Sequence, residues 1–121
     1  MLKDDFFTIS SIQKENDSFN IILELNASHK IFAAHFPGHP VVPGACILQI
    51  VKEITELILN KNVQLIKADN LKFLQVINPN EHRTLHMALT CNISEDGIGS
   101  ITANISNGSS VFSKFSGSFL C

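Results

Sequence analysis

His35, Cys46, Gln49 and Glu53 are the side chains whose type and spacing could do chemistry in this 121-residue sequence. An imidazole has an unperturbed pKa near ~6.5 and so can move protons at neutral pH. His35 opens the stretch HFPGHPVVPGACILQIVKEI, in which Pro-Gly recurs and a helix follows at once. The start of a helix carries unpaired N–H groups and the positive end of the helix dipole, which suit negative charge growing on a ligand oxygen. Gly44 sits at that start and adds no side chain to obstruct an approaching group. Cys46 lies in the same first turn, where a thiol pKa can fall, yet the expected reading is a small buried core residue. Gln49, Lys52, Glu53 and Glu56 recur at helical spacing as a polar stripe, for which a solvated face is the plain expectation. His29 and His82 read as surface residues, and His39, between Gly38 and Pro40, as turn-facing.

These groups need elements to hold them. Residues 6–13 and 19–27 read as strands, with KENDS as the turn between them. FNIILELNA alternates only loosely, so that strand is expected to be covered on much of both faces. Residues 28–43 hold Pro37, Pro40 and Pro43, which fix φ and disfavour helix before them, so this stretch is loop with a turn near KIFAA. Residues 44–60 form the helix: Ile47, Ile50, Val51, Ile54, Leu57 and Ile58 recur at its period, and Asn60 and Asn62 supply the stop. The apolar arc is wide, so most of this helix is expected to be wrapped by other elements. Strands at 63–77, 83–94, 98–106 and 109–119 follow, separated by NPNE, SEDG and SNGS. The pattern alone predicts an α+β class with the helix packed on one sheet face.

Composition excludes several roles. Hydrophobic residues make up 45% of the chain, with nine Phe and no Trp or Tyr, which a disordered chain would lack. No apolar run reaches the roughly 18 residues of a membrane span, and MLKDDFFTIS has acids where a signal peptide needs basic residues. Net charge is -2 without a basic cluster, so nucleic acid is not an expected partner. Cys46, Cys91 and Cys121 are odd in number and widely spaced, which argues against disulfides and a metal site and for a cytoplasmic setting.

HFPGHPVVPGACILQ resembles the signature of the β-hydroxyacyl-acyl carrier protein dehydratases: His-Phe-Pro-Gly, then Pro, then Pro-Gly opening the central helix. DNLKFLQVINPNEHRTL, residues 69–85, is similar to that family's V-x-F-x-x-P-V-x-P-G-D-x-L strand, with Pro79 on its later proline and Asn80-Glu81 replacing Gly-Asp. The likeness spans most of the chain. It implies a hot dog fold over residues 1–121, a single domain in which a mostly antiparallel sheet wraps one long central helix. It also implies loss of water from a 3-hydroxyacyl thioester on acyl carrier protein, giving the trans-2-enoyl product without a cofactor, in fatty acid or polyketide-type biosynthesis. By the resemblance His35 takes the α-proton, the Gly44 N–H meets the carbonyl oxygen, and the Val41 backbone carbonyl holds the imidazole tautomer. Carrier proteins are acidic, and Lys67, Lys72 and Arg83 are the basic candidates to receive one. Active sites in the family are shared across a dimer, so a homodimer is implied, which would also cover an otherwise unpaired sheet edge.

The family's acid, fourteen residues after the His, is Gln49 here. A primary amide holds a hydroxyl but delivers no proton at neutral pH, and losing a general acid typically costs about 10²–10⁴ in rate. Three readings follow. His35 does both proton transfers while Gln49 orients the hydroxyl; or Glu53, one helical turn further on, substitutes as the acid; or the chain is the catalytically impaired subunit of a heterodimer with an acid-bearing relative. A hot dog acyl thioesterase is a further alternative, though such enzymes also place an acid on the helix. Phe32, Phe36 and Phe73 read as core, with some of the set lining an acyl-chain tunnel.

Overall fold

β1 (Phe7–Glu15) and β2 (Ser18–Leu25) form a hairpin in the computed structural model, which describes residues 2–34, 38 and 40–121. Asn16 turns the corner with φ 56, a left-handed conformation that Asn tolerates better than most residues. A one-turn helix, α1 (Ile31–Ala34), stands where a turn was expected, and α2 (Gly44–Leu59) follows. Four strands complete the order: β3 (Gln64–Phe73), β4 (Thr84–Ile93), β5 (Ile98–Ser106) and β6 (Val111–Leu120). Among the described residues they make one sheet, ordered β1-β2-β4-β5-β6-β3, with every neighbouring pair antiparallel. With one long helix packed against it, this is the hot dog fold.

Side-chain alternation explains why the helix seats on this sheet. In β4, Leu85, Met87 and Leu89 are buried and their neighbours turn outward; β5 repeats this with Ile101, Ala103 and Ile105. α2 answers with Ile47, Ile50, Val51 and Ile54, spaced three or four apart and all buried. Truncating a side chain such as Ile54 to Ala would cost about 2–5 kcal/mol, because the sheet cannot collapse into the space. β2 departs from expectation. Ile21, Leu23 and Leu25 are buried while Asn20 and Glu24 are exposed, so only one face is fully covered. No helix among the described residues is long and apolar enough to cross a membrane.

Two boundaries matter for the site. Asn60 ends α2 in the left-handed region, φ 54 and ψ 42, with its N–H donating to the Glu56 carbonyl. β3 ends at Phe73, four residues before the expected limit. The Leu74 and Gln75 N–H groups both donate to the Phe112 carbonyl, at 2.7 and 3.2 Å, which pulls the chain off the ladder. The segment leaving β3 then crosses toward the start of α2, where the Val42 N–H donates to the Ile77 carbonyl at 2.9 Å.

Candidate active site

That bond fixes the approach to α2. Pro43 is the N-cap residue, with φ -63 and ψ 147, and its carbonyl accepts from the Cys46 and Ile47 N–H groups at 3.0 and 3.2 Å. Among the described residues, no side chain caps this end. Among the described residues, the Gly44 and Ala45 N–H groups have no hydrogen-bond partner. Two donors at the positive end of a sixteen-residue helix therefore stand ready for an oxygen. They open beside a mostly apolar groove lined by Val41, Pro43, Gly44, Ile47, Phe73 and Val76.

Gly44 serves a packing need that the sequence did not show. A Cβ built there would lie 2.7 Å from Cζ of Phe73, so the ring occupies the space a side chain would take. Contrary to the core reading, Phe73 is 52% exposed. The reason is its place at the end of an edge strand, where the sheet has no further neighbour to cover it. Phe32 is buried as expected, with its ring 5.2 Å from Phe6. His35, Phe36 and His39 lie outside the described residues.

Further along α2, the Gln49 Nε2 donates to Oε2 of Glu53 at 2.8 Å. Glu53 is 3% exposed, which corrects the expectation of a solvated face. Its carboxylate also accepts the Leu2 N–H, at 3.0 and 2.8 Å on its two oxygens, and the Lys3 N–H at 2.9 Å. Burial alone would raise the Glu53 pKa, but these backbone N–H groups and the Gln49 amide outweigh it and hold the carboxyl below the usual carboxylate range. At neutral pH it is ionised, with no proton to give. Sequence reasoning missed this cluster because its donors are peptide N–H groups some fifty residues away, and a backbone donor leaves no mark in residue identity.

The other expectations divide. Cys46 is buried, and burial pushes its thiol pKa up, which fits a core residue and not a nucleophile. His29 is not a surface residue: its Nε2 lies 3.0 Å from Asp5 Oδ2, its Nδ1 accepts the Ile31 N–H, and its ring meets Phe6 edge-on. The His82 ring packs 4.8 Å from Phe112 and its Nδ1 is buried, another departure from the surface reading. Lys72 and Arg83 are exposed, whereas Lys67 is 3.2 Å from Asp69 and partly neutralised by it.

Comparison with known proteins adds four likenesses. A family model described as ApeI-like, ApeI dehydratase, matches residues 11–104. A 3-hydroxyacyl-(acyl-carrier-protein) dehydratase FabZ from Wolbachia pipientis wMel is 31% identical over 71 residues, covering 53% of this chain and 50% of that protein. The chain thus spans little more than half the length of the curated relatives it matches. The dehydratase heterocomplex ApeI:P from Xenorhabdus doucetiae superposes with a TM-score of 0.73 at 16% identity, over 93% of this chain and 96% of that one. A hypothetical thioesterase with coenzyme A from Streptococcus pneumoniae TIGR4 gives 0.63 at 7% identity, over 98% and 90%. At those identities the structural likeness is one of fold.

Proposed function

This chain belongs to the ApeI-like dehydratase family, and we propose that it dehydrates 3-hydroxyacyl thioesters carried by an acyl carrier protein, or hydrates their trans-2-enoyl products. The observation that carries the reading is the start of α2: two N–H groups without a partner among the described residues, opening on a mostly apolar groove. In the proposed reaction His35 takes the α-proton, with the Val41 carbonyl holding its tautomer, and negative charge moves onto the thioester oxygen. The Gly44 N–H meets that charge; a single such donor is worth about 10²–10³ in rate. The C–O bond at the β-carbon then breaks. The leaving hydroxyl takes the proton back from the imidazolium and departs as water. Gln49 holds the hydroxyl, and Glu53, as an ionised carboxylate, has no acid role. The cytoplasm is the proposed setting, in keeping with Cys46, Cys91 and Cys121, which are all free thiols.

The test is direct. Purified chain mixed with a carrier-linked trans-2-enoyl thioester is expected to hydrate it, and His35→Ala to abolish the reaction. No turnover by the unaltered chain would count against the assignment.

A second reading is favoured by Gln49 and by the surface of β3. That strand is a sheet edge, and Ile66, Phe73, Leu74 and Val76 on it and just beyond are exposed, Val76 at 72%. Such an apolar edge fits a second hot dog subunit. If that subunit were a relative carrying the acid that Gln49 replaces, activity would appear only in the mixture. Co-purification and a mixing assay separate this from a self-sufficient homodimer, and Val76→Lys is expected to weaken either pairing.

A further inference from the structure

We propose that Glu53 is the positioning residue of this site: its carboxylate turns the Gln49 carboxamide so that the carbonyl oxygen is the end offered to the acyl hydroxyl. The inference rests on the function proposed above and adds to it a division of labour along α2.

An ionised carboxylate only accepts hydrogen bonds. The end of Gln49 that lies 2.8 Å from Glu53 Oε2 is therefore its NH₂, and the amide cannot reverse without placing two acceptors against each other. Glu53 itself cannot follow a moving Gln49, because Leu2 and Lys3, in the segment before β1, hold it from outside the helix. Among the described residues the Gln49 Oε1 has no partner, and Gln49 is only half-buried. A β-hydroxyl that donates its proton to this oxygen turns a lone pair outward, toward the proton it must collect to leave as water. The pair is thus a device for orienting the leaving group. A Gln at position 53 would serve badly. It has a single acceptor oxygen, which the Leu2 and Lys3 N–H groups would claim, and its own NH₂ would face Gln49 and turn that amide round.

The same geometry makes a prediction for Gln49→Glu. A second carboxyl would stand within hydrogen-bond reach of a carboxylate that backbone donors already keep ionised. Like charges at that distance cannot both ionise, so the new group retains its proton to higher pH. The other charged groups lining this surface are Lys3, Glu56 and Lys61; Lys3 is paired with Asp4 at 3.0 Å, and Glu56 accepts the Val63 N–H.

The experiment has two parts. The first needs no substrate. In proton–nitrogen spectra the Gln49 side-chain amide of the native chain should give a resolved, slowly exchanging pair of signals, and Glu53→Gln should shift them and speed their exchange. Carbon-detected titration of Gln49→Glu should show the introduced carboxyl titrating above the ordinary carboxylate range, returning to it in Gln49→Glu/Glu53→Gln. Gln49 signals indifferent to Glu53→Gln, or an introduced carboxyl that titrates normally with Glu53 intact, overturn the proposal. If Glu53→Gln does not fold, the Gln49→Glu titration still decides. The second part uses an enoyl thioester. Glu53→Gln should lower kcat by roughly tenfold, the loss of one oriented hydrogen bond, and leave KM almost unchanged; a rise in KM with kcat intact overturns the proposal. Absent turnover by the native chain with the expected spectra would remove the dehydratase reading and leave the positioning role standing.

Discussion

Gly44 and Glu53 lie on the same helix and use hydrogen bonding in opposite ways. At Gly44 the donors of the first turn find no partner among the described residues, and an apolar groove opens beside them. At Glu53 both carboxylate oxygens are filled, one of them by a side chain from the preceding turn and both by backbone from the far end of the chain. An unfilled donor at a surface groove costs little, because water can stand in until a ligand arrives. A buried carboxylate must be satisfied at once or lose its charge. The contrast teaches where this molecule spends its polar groups: the helix start leaves its donors open beside a groove, and the Glu53 cluster closes its own acceptors on backbone and on Gln49.

Substitutions can break each half of the contrast separately. The largest expected effect is on the closed half. Glu53→Ala removes the acceptor of the half-buried Leu2 and Lys3 N–H groups and of the Gln49 amide, and a hydrogen bond to a charged group is worth about 1.5–3 kcal/mol. Stability measured by urea titration should fall by roughly 3 kcal/mol or more; a loss within error would mean the cluster is not structural. Next comes the open half. Gly44→Ala pushes a methyl group against the Phe73 ring, whose half-exposed outer end must swing aside into the groove, so a stability loss of about 1 kcal/mol or less is expected together with reduced activity. Phe73→Ala in the same chain should restore most of both. Failure of that rescue would show that Gly44 matters for something other than the ring.

A gentler test uses pH. The Glu53 pKa is lower in the folded chain than in the unfolded one, so its stabilisation is complete at neutral pH, above the unfolded value. As pH falls the unfolded chain takes up the proton first, and the stabilisation fades until it is lost below the folded value. Glu53→Gln should flatten this acid-side slope without changing the alkaline side. The smallest effect concerns thiols near the open end. Cys46, buried with a raised pKa, should react with iodoacetamide far more slowly than the exposed Cys121. Equal rates would mean that the helix start opens readily.

Much of the fold was legible because it is local. Pro43 followed by Gly44 marks a helix start, Asn60 marks its end, and the period-two patterns of β4 and β5 set their inward faces. The unfilled helix end was foreseeable for the same reason. What escaped is non-local. Glu53 looks like a solvated residue until Leu2 and Lys3 fold over it, and Phe73 looks like core until β3 proves to be an edge. The loose alternation of FNIILELNA suggests cover on both faces because Ile22 interrupts it, yet Ile22 is only half-buried, on the outer face.

The β3 edge has one more consequence. Against β6 its pairing slips twice, between Leu65 and Lys67 and again between Ala68 and Asn70, so Ile66 and Asp69 are supernumerary in the ladder. An even comb of peptide groups invites any extended segment to zip on, and copies stacked that way grow into fibres. Irregular teeth admit few keys. The two slips, with the lysine beside the first, guard this margin against open-ended growth while leaving it free for a strand of matching cut.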